Sequence, residues 1–125
     1  MSFAVVGAHH MSFPVKDLER SCRFYEGVLG LEQKPRPDFG FPGVWYQAGA
    51  CEVHLLQTPE GVDVGQPPPA LNPMARHSAF GIKSYDETLA RLKAHGLEVF
   101  ETSPDNGQMW VRDPDGHIIE LIVVR

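Results

Sequence analysis

Cysteine and positive charge are both scarce in this sequence, and each shortage narrows what the chain can be. Two cysteines, Cys22 and Cys51, cannot build the multi-bridge framework of a small secreted domain. They read as small buried hydrophobes in a reducing compartment, and nothing in the sequence requires them to pair. Lys and Arg number 11 against 16 Asp and Glu, a formal charge of −5. That balance argues against a nucleic-acid partner, which needs a net basic face. No window approaches the roughly 20 apolar residues of a membrane-spanning helix, so no membrane partner is expected. The opening Met1-Ser-Phe-Ala-Val-Val-Gly7 has no basic stretch of the kind that starts a secretory signal, and the expected location is cytoplasmic. What remains is 125 residues, 42% of them apolar, enough for one packed domain.

The chain repeats itself. His10-Met-Ser-Phe-Pro-Val-Lys16 returns as His77-Ser-Ala-Phe-Gly-Ile-Lys83, 67 residues later. Gly30-Leu-Glu32 returns as Gly96-Leu-Glu98 and Val53-His-Leu-Leu56 as Ile119-Glu-Leu-Ile122, both 66 residues later. Three matches in one order, at nearly one spacing, indicate two similar halves.

Local patterns give each half the same elements. Residues 8–15 alternate as a strand, with Met11, Phe13 and Val15 on one face and His10, Ser12 and Pro14 on the other. Pro14 suits an edge or a strand end. Asp17 is a plausible N-cap for a helix over 18–29, whose buried stripe is Leu18, Cys22, Tyr25 and Leu29, with Gly30 ending it. Strands near 31–34, 44–48 and 52–57 follow. In the second half a strand over 76–83 precedes a helix of about 86–95, capped by Ser84, burying Leu89 and Leu92, and ended by Gly96. Strands near 97–101, 108–112 and 117–124 complete it, with Asp113-Pro-Asp-Gly116 as a strong turn signal. The expected domain is 1–125. It divides into an N-terminal module (1–57), a proline-rich linker (58–74) and a C-terminal module (75–125). Each module is too small for a good core alone, so the two must pack together. The expected fold class is α+β: two paired β-α-β-β-β modules forming a cupped, partly open mixed sheet around a metal site.

The repeat also constrains the chemistry. His10 and His77 stand at equivalent places on the first strands, and His54 and Glu120 at equivalent places on the last. Related by a pseudo-twofold, the four side chains can converge as metal ligands. Imidazole and carboxylate suit Zn, Ni, Fe, Co or Mn, and ligand type alone does not choose among them. Glu120 lies in the apolar run Ile118-Ile-Glu-Leu-Ile-Val-Val124, where a carboxylate is costly to bury unless paired or ligated. His9, His95 and His117 have no repeat partner among these candidates and read as non-ligands. Glu52 shares strand parity with His54 but reads as a solvated strand start. Trp45, Tyr46 and Trp110 read as core, or as apolar walls of a cavity.

These motifs resemble the vicinal oxygen chelate superfamily, which includes glyoxalase I, fosfomycin-resistance thiol transferases, extradiol dioxygenases and bleomycin-binding proteins. The resemblance rests on His10 to Ser21, Phe24-Tyr-Glu-Gly-Val-Leu-Gly-Leu31, His77-Ser-Ala-Phe-Gly-Ile82 and Asp113-Pro-Asp-Gly-His-Ile-Ile-Glu-Leu121. It implies one divalent metal ion per site held by His10, His54, His77 and Glu120. It also implies a homodimer whose sites are shared between subunits, and a small-molecule substrate such as a thiol conjugate. The implied activity is that of a metal-dependent glyoxalase-like lyase or isomerase, lactoylglutathione lyase-like. It would work through bidentate oxygen chelation and an enediolate-type intermediate, with Glu120 as the catalytic proton carrier. His54 departs from the glyoxalase I pattern, which has glutamate there; imidazole makes the site less negative. Two alternatives stand beside that reading. One is an extradiol-type dioxygenase or thiol transferase on the same scaffold. The other is a metal-free, drug-sequestering protein of the bleomycin-resistance type.

Overall fold

A computed structural model describes residues 3–125. Strand β1 (His10–Val15) leads into helix α1 (Leu18–Cys22), which passes directly into a π-helical segment (Arg23–Val28). Strands β2 (Glu32–Lys34), β3 (Gly43–Ala48) and β4 (Cys51–Gln57) follow. The second half runs β5 (Ser78–Ile82), α2 (Tyr85–Ala94), β6 (Phe100–Glu101), β7 (Gln108–Arg112) and β8 (Ile118–Val123). The expected single cupped sheet is instead two open four-stranded sheets, ordered β1-β4-β3-β2 and β5-β8-β7-β6. Each is mixed, with one parallel pair (β1 with β4, β5 with β8) among antiparallel ones. The same order in both halves is what an internal duplication requires. Pro14 lies on β1, an edge strand, where its missing N–H costs no ladder bond to an outer neighbour.

The helix starts follow from their caps. Asp17 accepts from the Arg20 amide at 3.1 Å, and Ser84 from the Glu87 amide at 3.2 Å, each satisfying an orphan donor of the first turn. Gly30 (φ 74°) and Gly96 (φ 72°) supply the left-handed exits. The first helix differs from expectation. Its second part is π-helical, and Phe24, Tyr25 and Val28 are buried there while Leu18, Cys22 and Leu29 are only partly covered. The strand expected over 97–101 shortens to two residues, because Leu97 and Val99 pack against the core without ladder partners.

Alternation sorts each sheet into two faces. Phe13, Val15, Tyr46, Val53 and Leu55 are buried on one side, and Met109, Val111, Ile119 and Leu121 on the equivalent side of the other sheet. They form one cluster with Tyr25, Tyr85 and Leu92 from the helices. Full burial of such a side chain contributes about 1.5–3 kcal/mol. Polar bonds then lock the halves together. Asp115 accepts from the Lys16 amide, Arg20 and Ser21. His117 Nε2 donates to the Pro14 carbonyl at 2.8 Å. Arg91 donates to the Val28 and Gly27 carbonyls at 2.8 and 2.6 Å, satisfying the open end of the first helix. Cys22 and Cys51 are both free thiols. No helix among the described residues is long and apolar enough to cross a membrane.

Candidate metal centre

The faces away from the core carry the polar residues singled out by the repeat. In register, Ser12 and Trp45 both pair with His54, and Ala79 and Trp110 both pair with Glu120. The two tryptophans are therefore equivalent, one beside each last-strand candidate. Among the described residues, no three His, Cys, Asp or Glu side chains converge as a metal-binding group within the chain. The four candidates fall into two pairs, one on each sheet.

His77 and Glu120 form the tighter pair. His77 Nε2 lies 2.9 Å from Glu120 Oε1, and His77 Nδ1 lies 2.7 Å from the Ala75 carbonyl oxygen. The carbonyl can only accept, so Nδ1 carries a proton. A neutral ring then turns its Nε2 lone pair toward a carboxylate oxygen, which is repulsive unless a cation, a proton or a metal ion, stands between them. Two donors 2.9 Å apart, each about 2.1 Å from an ion, subtend about 90° at it. That suits two neighbouring positions of a five- or six-coordinate site. Glu120 Oε2 is held by Gln108 Nε2 at 3.0 Å, so both members are oriented from behind as metal ligands commonly are. These residues fit a divalent ion.

The pair on the other sheet is arranged differently. His10 and His54 stack, with ring centroids 4.1 Å apart and planes 15° from parallel. His54 also stacks on Trp45, at 4.4 Å and 9°. Imidazole lone pairs lie in the ring plane, so two stacked rings do not aim them at one point. His54 is further committed by Glu52, whose Oε1 accepts from Nε2 at 2.9 Å. His10 is exposed, and only its Nδ1 is engaged, 2.9 Å from Nδ1 of His9.

Glu52 is the residue that strand reasoning undervalued. Its side chain is 16% exposed and also accepts from Lys34 Nζ at 2.6 Å. The His54 and Lys34 bonds hold its carboxyl down to about 2. Its two-residue spacing from His54 was the available signal, since that parity puts both on one face. Gln108 was missed for a related reason: only the register of the last two strands brings it to Glu120. His95 closes the second helix and His117 binds the Pro14 carbonyl, so both serve the fold.

A groove of about 270 Å³ includes Ser12, Pro14, Arg76, His77 and His117, and so opens beside the His77–Glu120 pair. A larger cleft of about 960 Å³ lies among Met11, Leu31, Phe80, Arg91, Leu92 and Leu121. It belongs to the helix side of the sheets and touches none of the four candidates.

Residues 7–121 match the family described as the Glyoxalase/Bleomycin resistance protein/Dioxygenase superfamily. The chain is 29% identical over 119 residues to glyoxylase I 4 of Arabidopsis thaliana, covering 90% of this chain and 68% of that protein. It is 31% identical over 125 residues to lactoylglutathione lyase of Haemophilus influenzae, covering 90% of this chain and 89% of the enzyme. Among solved structures, a glyoxalase family protein from Bacillus anthracis superposes with a TM-score of 0.76 at 27% identity, covering 100% of both chains.

Proposed function

Because the chain belongs to the Glyoxalase/Bleomycin resistance protein/Dioxygenase superfamily, we propose that it is a metal-dependent enzyme of glyoxalase type, a lyase or isomerase acting on a small substrate with two neighbouring oxygens. The observation that carries this reading is the His77–Glu120 pair, with Ala75 fixing one partner and Gln108 the other. His77, Glu120 and His10 hold the ion, and His54 stands beside it as a stacked wall clamped by Trp45 and Glu52. A divalent ion there supplies the positive charge that favours enediolate-like character on adjacent oxygens. Glu120 carries the proton between neighbouring carbons, a task for a carboxylate within reach of the substrate. Gln108 keeps its second oxygen oriented meanwhile.

The His77–Glu120 pair of one copy is completed by His10 of the other across a homodimer, one sheet face from each copy, and the protein works in the cytoplasm, where its thiols stay reduced. Support for the dimer comes from large apolar side chains left in water: Phe3, Val5, Val6 and Met74 are all more than 90% exposed.

Elemental analysis of protein purified without an affinity tag, followed by turnover of the methylglyoxal–glutathione hemithioacetal, tests the proposal. One divalent ion per site is expected, with turnover lost at least about 100-fold in Glu120→Gln. Full turnover in that variant sinks the role of Glu120, and protein that takes up no divalent ion sinks the metal reading.

A further inference from the structure

Ahead of β1 runs an arm, residues 3–9, that is exposed along its whole length. Phe3, Val5 and Val6 each keep more than 90% of their surface in water. The His9 carbonyl accepts from the Glu52 amide at 2.9 Å, so the root of the arm is fixed to the sheet while the rest stands in solvent. Phe3-Ala-Val-Val6 is apolar and partly β-branched, the composition of a strand with a face to bury.

A place of matching character lies in the second half. β5 is an edge strand, paired with β8 on one side and open on the other, so it offers a row of N–H and C=O groups to a further strand. Ala79 and Gly81 are exposed there and leave room for close approach. The cleft of about 960 Å³ runs beside this strand: Ala79, Phe80, Gly81 and Ile82 all line it, together with Met11 and Leu31 from the first half. An unpaired strand edge and an apolar cleft therefore lie side by side.

We infer that the arm of a second copy fills this place: residues 3–9 of each chain add a strand to the β5 edge of the other, with Phe3 and Val5 in the cleft. The inference rests on the preceding reading for its starting point, an ion shared by His77 and His10 of the other copy. His77 immediately precedes β5, as the arm immediately precedes His10. A twofold between equivalent strands and perpendicular to them makes them antiparallel, so the arm runs back along β5 with Ala8 opposite Ala79 and Val5 opposite Ile82. Seven extended residues span about 23 Å and the five of β5 about 16 Å, so the arm reaches the far end. Alternation then sets Phe3 and Val5 on the face of Phe80 and Ile82, and Val6 and Ala8 on the face of Ala79 and Gly81. The chain's own arm stands away from its body, which leaves another chain as the acceptor. A buried aromatic side chain covers about 150–250 Å², so two arms and the walls they cover pass the roughly 1,200 Å² at which specific interfaces begin.

Analytical ultracentrifugation of the full-length protein tests it, together with air oxidation of the Ala8→Cys/Ala79→Cys variant and peptide mapping of the product. A dimer is expected, with a disulfide between the two introduced thiols that joins one chain to the other. Val5→Glu alters a side chain exposed in the single chain, so the fold survives it, and the dissociation constant should rise at least tenfold. Removal of residues 1–6 should act in the same direction and serves as the second variant. Each measurement is repeated after dialysis against EDTA. Protein that takes up no divalent ion yet forms the bridge between chains sinks the metal reading and supports this one, so the two failures read differently. A bridge within one chain, a Val5→Glu protein that dimerises as tightly as the parent, or a parent that stays monomeric overturns the assignment.

Discussion

The hydroxyl of Tyr25 donates to Asp113 Oδ2 at 2.7 Å, across 88 positions of sequence. It ties the first helix of one half to the β7–β8 turn of the other, and both residues are buried. Asp113 Oδ1 meanwhile accepts the amides of Asp115 and His117 at 2.9 Å. One carboxylate thus shapes its own turn and anchors the opposite module.

Tyr25→Phe should cost about 1.5–3 kcal/mol, the usual worth of a hydrogen bond to a charged group. Urea denaturation would measure it. Burial already pushes the Asp113 carboxyl up, and the Tyr25 bond is among the influences that hold it down, so the variant should raise it further. A loss under about 0.5 kcal/mol would mean that the link is incidental.

Alkaline pH should destabilise the protein in a defined direction. Burial, then the Asp113 charge, raise the Tyr25 phenol well above its usual value of 10.0. Burial, with Cys22 and Glu26 nearby, raises Tyr46 as well. Each keeps its proton more tightly folded than unfolded, so their contribution is complete below pH 10 and falls as the pH rises past it. Tyrosinate absorbance and circular dichroism should reveal both phenols ionising only as the fold is lost. Early ionisation of either phenol in intact protein contradicts the assignment.

Gly43→Ala places a methyl group 2.7 Å from the Leu55 carbonyl oxygen as well as against Arg36. Backbone cannot yield cheaply, so a loss of about 1–3 kcal/mol is expected. Trp45 fluorescence should change with it, since the displaced guanidinium carries along Phe39, whose ring centroid lies 5.0 Å from Arg36 Cζ and 6.0 Å from that of Trp45. Thermal melting with unchanged midpoint and emission would refute the close packing.

Trp110→Phe should be nearly free. Trp110 is 7% exposed and its Nε1–H has no partner among the described residues, so the substitution removes an unsatisfied donor while keeping the ring contacts with His77 and Phe100. Stability within about 1 kcal/mol of the parent, or above it, is expected. A drop beyond about 2 kcal/mol would mean that the lost ring volume, or a partner of the indole nitrogen, outweighs the relief of the unsatisfied donor.

His54→Gln should retain the metal ion, whereas His77→Gln should lose it. Isothermal titration with Mn²⁺ or Zn²⁺ distinguishes them. Bound ion at 1,000 times its dissociation constant stabilises by about 4 kcal/mol, so melting shifts give a second readout. Equal loss in both variants would place His54 among the ligands.

Much of this was legible from residue order because duplication writes each element twice. The matched motifs around His10 and His77 located both first strands, and Asp17, Ser84, Gly30 and Gly96 bounded both helices. Pairing between His54 and Glu52 was not legible, because parity places two side chains on a face without stating which rotamers they share. Nor was the stack of His10 on His54: residues 44 positions apart meet only through the parallel register of β1 and β4. The unpaired state of Arg36 was hidden for a stronger reason. An unpaired donor is defined by what surrounds it, and its surroundings come from Phe39 and Phe41 folding back over the sheet onto Gly43 of β3.

The π-helical segment explains a small irregularity in the repeat. From cap to exit glycine, the first helix spans Asp17 to Gly30 and the second Ser84 to Gly96, so the first is longer by one residue. A single added residue inside an α-helix is commonly absorbed as a π turn, and Arg23–Val28 is where the first helix adopts one while the second stays regular. The one-residue difference between the halves therefore lies within the helix. Its effect ended at Gly30. Had it spread further, β4 would have shifted by one place, turning His54 toward the core and Val53 toward water.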